Sequence, residues 1–125
     1  MDQTPVTRRP ARLLVVENQE HFTIGLGRDL RNANVRMSLA ETPDQVERLL
    51  LEDFFDLAVI DMDTPHMDAV SVLNRIRSKR PATKVIVITE CGDDDLWLEF
   101  LNAGAADLLE KPLRPRDLER FLIAS

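Results

Sequence analysis

Five short apolar runs punctuate the chain, at Leu13–Val16, Val35–Ala40, Leu57–Ile60, Val85–Ile88 and Ala106–Leu109. Leu13–Val16, Leu57–Ile60 and Val85–Ile88 are continuous rather than alternating, as expected of parallel strands buried on both faces. Between the runs, apolar residues recur at helical spacing. The stripes are Phe22, Leu26, Leu30 and Ala33; Val46, Leu49 and Leu50; Val70, Leu73 and Ile76; Trp97, Phe100, Leu101 and Gly104; and Leu118, Phe121 and Leu122. The second helical stretch has a clear start, with Thr42 at the N-cap, Pro43 in the first turn and Gln45 three residues after the cap. Asp68 can cap the third, whereas the fifth has Pro115 in its first turn but only Arg114, a poor cap, before it.

Five strand–helix units spaced by roughly 20–28 residues predict an α/β domain with an open parallel sheet and helices on both sides. A closed eight-fold barrel needs about twice this length. Right-handed crossovers favour a doubly wound sheet, with ligands at the carboxyl ends of the strands near the switch point. Residues 1–11, "MDQTPVTRRPA", carry two prolines, two arginines and almost no apolar pattern. They read as a flexible leader, leaving 12–125 as one domain.

Composition narrows the function. Apolar residues make up 44% of the chain, enough for a core, and the net charge is −6. An acidic balance disfavours a nucleic-acid or anionic-membrane binder, both of which reward excess Lys and Arg. The one cysteine, Cys91, has no partner within the chain. No internal disulfide or cysteine-based zinc site can form, so a reducing cytoplasm is expected. The longest apolar runs, such as "LLVV" and "VIVI", are four residues, too short for a signal-peptide core or a membrane span.

The chemistry collects at the predicted strand ends. Strand one ends in Glu17-Asn18, strand three in Asp61 and strand four in Thr89, while strand five stops just before Lys111-Pro112. A sheet of this kind lines up an acid with an amide, a central carboxylate, a hydroxyl and an ammonium along one edge. Carboxylate and amide oxygens can hold Mg²⁺, a hard cation that keeps several waters and takes few protein ligands. Metal and lysine would neutralise charge on a transferring phosphoryl group, and the hydroxyl would donate to one of its oxygens. Asp61 would then attack phosphorus to give an acyl phosphate.

From residue 12 to about 124 the sequence resembles the receiver domains of bacterial two-component response regulators, the CheY-like family. "RLLVVENQE" is similar to that family's first strand and acidic motif, and "DLAVIDMDTPHMDAV" to its phosphoacceptor strand and following loop. "KVIVITE" resembles the fourth strand with its hydroxyl residue, and "NAGAADLLEKPL" the fifth-strand segment with its Lys-Pro. The resemblance implies a flavodoxin-like (βα)5 fold of strand order 2-1-3-4-5. It implies Asp61 as phosphoacceptor, Thr89 as switch hydroxyl and Lys111 as phosphoryl-contacting amine. Glu17, Asn18, Asp61 and the backbone carbonyl of Asp63 hold its Mg²⁺-site positions. The Lys111–Pro112 peptide is commonly cis in that family.

The resemblance also implies a sensor histidine kinase or phosphotransfer protein as phosphate source. Its usual partner face is formed by the fourth helix, the fifth strand and the fifth helix. Trp97, Leu98 and Leu108 are the candidates there, for homodimerisation or for an output protein. Trp97 and Leu98 are adjacent, so one helix cannot easily bury both. A receiver of this kind catalyses its own phosphorylation and dephosphorylation, but it is a switch and not a metabolic enzyme. No DNA-binding segment is expected in it.

Four positions depart from the family pattern. Asn18 replaces the second acid of strand one, which removes a charge beside the metal and predicts weaker Mg²⁺ binding. Glu90 replaces the small residue after the hydroxyl. Leu108 replaces an aromatic, so no aromatic rotamer switch is expected there. Ala69 replaces a glycine after the phosphoacceptor loop. The Asp63 side chain either turns toward the cation and restores the lost charge or is a solvated loop acid.

Each residue also has an ordinary reading. Asp61 alone suits any strand-to-loop junction, Lys111 any surface and Thr89 any strand; only their joint placement carries weight. Glu17 could simply cap the first helix. His21 and His66 are expected to face solvent, and Cys91 to be a passive thiol. "GDDD" at 92–95 resembles a metal motif, but acids also favour a helix start through its dipole.

Two rival functions remain. The first is a phosphorylation-independent pseudo-receiver used for docking, suggested by Asn18 and Glu90. The second, a haloacid-dehalogenase-like phosphohydrolase, would use Asp61 as nucleophile and Asp63 as general acid. It is disfavoured by Pro65 in the motif, by Lys111 lying after the late acids, and by the short chain. A flavin-binding module lacks support, since no Gly- and Ser/Thr-rich phosphate loop follows the first strand.

Overall fold

A computed structural model of the chain describes residues 9–17 and 34–123. The first predicted helical stripe, together with Asn18 and His21, lies outside those residues. The described elements are β1 (Ala11–Val16), β2 (Val35–Ala40), α1 (Pro43–Glu52), β3 (Leu57–Asp61), α2 (Ala69–Lys79), β4 (Lys84–Thr89), α3 (Asp94–Asn102), β5 (Asp107–Glu110) and α4 (Pro115–Ile123). β1 begins at Ala11, one residue before the predicted domain start. The strands form one parallel sheet in the order β2-β1-β3-β4-β5.

Strand residues alternate between two apolar layers because successive side chains point to opposite faces. Leu14, Val16, Ala58, Ile60, Val85 and Val87 pack on one side with Val46 and Leu50 of α1, Leu73 and Ile76 of α2 and Phe100 of α3. Leu13, Val15, Leu57, Val59, Ile86 and Ile88 pack on the other with Leu118 of α4. This two-sided burial explains why the β1, β3 and β4 sequences are continuously apolar. The outer strand β2 is mostly only partly buried and alternates accordingly. No described helix is long and apolar enough to cross a membrane.

Helix ends follow local rules. The Thr42 hydroxyl accepts from the Gln45 N–H at 3.2 Å, and the Gln45 side chain accepts from the Glu41 N–H at 2.6 Å. Asp68 caps α2 by accepting from the Val70 N–H, and Asp93 caps α3 by accepting from the Leu96 N–H. The acids of "GDDD" therefore start a helix. α4 lacks a side-chain cap at Arg114, but Asp117 reaches back and accepts the Arg114 N–H at 2.9 Å. Gly104, counted in a helical stripe from sequence, lies beyond α3 with φ 104°. Its N–H bonds the Leu101 carbonyl and the Ala105 N–H bonds the Phe100 carbonyl, the paired bonds of a Schellman ending.

Candidate functional site

Parallel register brings the strand ends together. Val16 lies beside Ile60 in the β1–β3 pairing, so Glu17 and Asp61 are the next residues on neighbouring strands. Asp61 pairs with Ile88, and Thr89 pairs with Glu110. The Lys111 N–H then bonds the Thr89 carbonyl at 2.8 Å, tying the residue after β5 to the end of β4. Lys111–Pro112 is cis. Glu17, Asp61 and Thr89 are buried although polar, and such groups are kept in a core only where partners compensate them.

Asp61 is held on both oxygens. Its Oδ2 accepts from the Lys111 ammonium at 2.8 Å and its Oδ1 from the Asp63 N–H at 2.9 Å. The Asp63 side chain is partly exposed and meets donors from the ends of β4 and β5. It turns across the cleft, accepting from the Thr89 hydroxyl at 3.1 Å on Oδ1 and from the Glu90 N–H at 2.8 Å on Oδ2. The Lys111 ammonium also stands 3.2 Å from Asp63 Oδ2, so one cation serves two carboxylates. Thr89 Oγ1 in turn accepts from the Cys91 N–H at 3.3 Å.

Burial works to raise the Asp63 pKa, but the Glu90 N–H, Lys111 and Thr89 outweigh it and hold the carboxyl below its ordinary value. For Lys111, burial works to lower the pKa, and the hydrogen bonds and charges of Asp61 and Asp63 outweigh it, so the ammonium is held above its ordinary value. Both groups are charged at neutral pH.

The donor set for a cation is sparse. Among the described residues no cluster of three or more His, Cys, Asp or Glu side chains could hold a metal. Two buried acids on neighbouring strand ends, Glu17 and Asp61, remain. That number suits Mg²⁺, which takes one or two carboxylates and completes its shell with water and other oxygens.

The remaining nominated residues spread along the adjoining face. Trp97 and Leu98 are both exposed on α3, so the helix buries neither. The Trp97 indole donates to Asp107 Oδ1 at 3.3 Å, and Arg120 of α4 donates to Asp107 Oδ2 at 2.9 Å. Asp107 thus joins the two helices. Leu108 is partly buried against the core and lines a groove with Gly92 and Trp97. His66 and Cys91 are exposed, and so is the Glu90 side chain; its acid points out while its N–H points in. That N–H was missed at the sequence level. A main-chain donor carries no residue signature, and only its position directly after Thr89 hinted at it.

The profile of the family described as "Response regulator receiver domain" matches residues 13–122. The chain is similar to the transcriptional regulatory protein ResD of Bacillus subtilis (strain 168), 31% identical over 118 residues, covering 94% of this chain and 47% of that protein. The chain spans less than half the length of the curated relatives it matches. Its structure resembles a CheY-like response regulator receiver domain protein from Methanospirillum hungatei JF-1, with TM-score 0.79, 27% identity and 89% of each chain covered. It also resembles the beryllofluoride-activated NtrC4 receiver domain dimer, with TM-score 0.75, 33% identity and 90% of each chain covered.

Proposed function

We propose, from the fact that this chain belongs to the response regulator receiver domain family, that it is a phosphorylation switch with Asp61 as its phosphoacceptor. An Asp61 carboxylate oxygen would attack the phosphorus of a phosphohistidine on a sensor kinase or phosphotransfer protein. The oxygen–phosphorus bond forms as the phosphorus–nitrogen bond breaks, and the imidazole leaves. Lys111 would take charge from the incoming phosphoryl group. Thr89 would donate to one of its oxygens. Glu17 and Asp61, with Asn18 and the Asp63 carbonyl, are the positions for Mg²⁺, which would neutralise phosphoryl charge when bound. Asn18, an amide, predicts weak metal affinity.

The observation that carries this reading is the Lys111 ammonium 2.8 Å from a buried Asp61 carboxylate at adjacent strand ends. The exposed Trp97–Leu98 pair and Leu108 supply the face on which an output protein or a second copy would sense the change. The protein is then a cytoplasmic switch rather than a metabolic enzyme, acting without nucleic-acid or membrane contact through this domain.

One observation favours a second reading, a docking module that never takes phosphate. The Asp63 carboxylate already engages the donors a phosphoryl group would use. Incubation with a small phosphodonor and Mg²⁺, followed by intact-mass measurement, separates the two. Wild type should gain one phosphoryl group and Asp61→Asn none. No gain in either protein refutes the switch.

A further inference from the structure

We propose that the Asp63 carboxylate is a built-in occupant of the phosphoryl seat beside Asp61, one that must swing out before a phosphoryl group can settle there. This inference rests on the phosphoacceptor reading of Asp61.

Three donors converge on Asp63 from chain segments distant in sequence. They are the Thr89 hydroxyl at 3.1 Å, the Glu90 N–H at 2.8 Å and the Lys111 ammonium at 3.2 Å. All lie at the ends of β4 and β5, and Lys111 is shared with Asp61 at 2.8 Å. A hydroxyl, an amide N–H and an ammonium gathered around one point next to a carboxylate nucleophile form an oxyanion site. A phosphoryl group on Asp61 offers three terminal oxygens and needs those donors. An Asp63 carboxylate presents two oxygens and spends them on the same donors. Two anions cannot share the seat without facing each other unscreened.

Asp63 can leave. It sits in the turn after β3, where the Thr64 N–H bonds the Asp61 carbonyl, and its side chain is partly exposed. Rotation would carry the carboxylate into water. While seated, it holds the Thr89 hydroxyl toward the cleft, so the orientation of Thr89 is set before any phosphate arrives. Incoming phosphoryl therefore substitutes for an internal anion, and the exchange lowers apparent affinity for phosphoryl ligands.

Beryllofluoride, an anionic tetrahedral mimic of the phosphoryl group, tests this on the full chain. Wild type, Asp63→Ala and Asp63→Asn are each brought to saturating Mg²⁺ and titrated, with Trp97 fluorescence as readout. The amide spectrum of each free protein is recorded as well. Half-saturation should fall by about tenfold in Asp63→Ala, the equivalent of one charge-assisted hydrogen bond that no longer has to be displaced. It should fall in Asp63→Asn too, which keeps the shape but not the charge. The Glu90 amide proton should move upfield in free Asp63→Ala. Equal or weaker beryllofluoride binding by Asp63→Ala overturns the proposal and leaves the phosphoacceptor reading standing. Binding by none of the three sinks the phosphoacceptor reading, and the Glu90 amide then decides the seating alone: unchanged between wild type and Asp63→Ala, it rules the seat out.

Discussion

Replacing Lys111 by Met should destabilise the chain mainly through what it leaves behind at Asp61. The Nζ–Oδ2 distance is 2.8 Å, with the two side chains 15% and 1% exposed. Coulomb's law at an effective dielectric of about 20 gives roughly 6 kcal/mol of gross attraction at that separation. Desolvating two ions returns most of this. Asp63, 30% exposed, can still turn to water after the change, which trims the loss further. A net cost of about 2 kcal/mol follows, below the ~3–5 kcal/mol typical of orphaning one member of a fully buried pair. In an Asp61→Asn background the stranded charge is gone, and the same substitution should cost under about 1 kcal/mol. The coupling read from the double-mutant cycle is thus about 1–2 kcal/mol. Urea unfolding at pH 7 in metal-free buffer measures it, with equal m-values as the check that the denatured state is unchanged. Identical costs in the two backgrounds would show that Lys111 contributes by packing alone.

Three further expectations follow. Gly104→Ala should cost about 1–3 kcal/mol, read as a lower thermal midpoint, because φ is 104° and the added Cβ would also displace the Arg77 side chain; an unchanged midpoint contradicts it. Thr83→Val should cost about 1–3 kcal/mol in urea melts, since the buried Thr83 hydroxyl donates to the Phe55 carbonyl at 2.7 Å and the isostere leaves that acceptor orphaned; a neutral outcome means the carbonyl found another donor. Burial would raise the Asp56 pKa, but Arg9 and the Arg12 N–H outweigh it and depress the group. Its stabilisation is therefore complete above the unfolded carboxylate value near about 4 and fades as pH falls through the folded value. The stability advantage of wild type over Asp56→Asn should accordingly be flat from neutral to about pH 5 and shrink below about pH 4, and a gap indifferent to pH removes the Arg9 pair as its source.

Much of this molecule was legible in one dimension because the rules involved are local. Continuous apolar runs marked β1, β3 and β4 as strands covered on both sides, and both layers of core side chains are there. Thr42 and Asp68 capped the helices assigned to them. Local rules failed where a residue could satisfy two of them. Gly104 fits the apolar spacing of α3, yet its φ of 104° makes it the ending of that helix. Arg114 looked like a missing cap until Asp117, three residues on, supplied the acceptor from inside the helix.

The candidate site divides the same way. The apolar runs by themselves put Asp61 and Thr89 at the ends of their strands and Lys111 just past the last one, and in a parallel sheet the ends of neighbouring strands are necessarily neighbours in space. Orientation is a different matter. Asp63 is a polar loop side chain with no hydrophobic pattern to aim it, and its sequence neighbours allow it to face a cation, solvent or the cleft. Its direction was decided by Thr89, 26 residues away, and by the Glu90 N–H and the Lys111 ammonium. Those donors exist as a group only once β3, β4 and β5 lie side by side. The order of apolar and polar residues therefore settles which atoms reach the edge of the sheet, and three-dimensional packing settles which of them meet, because hydrogen bonds and ion pairs depend on distances that the chain acquires only by folding.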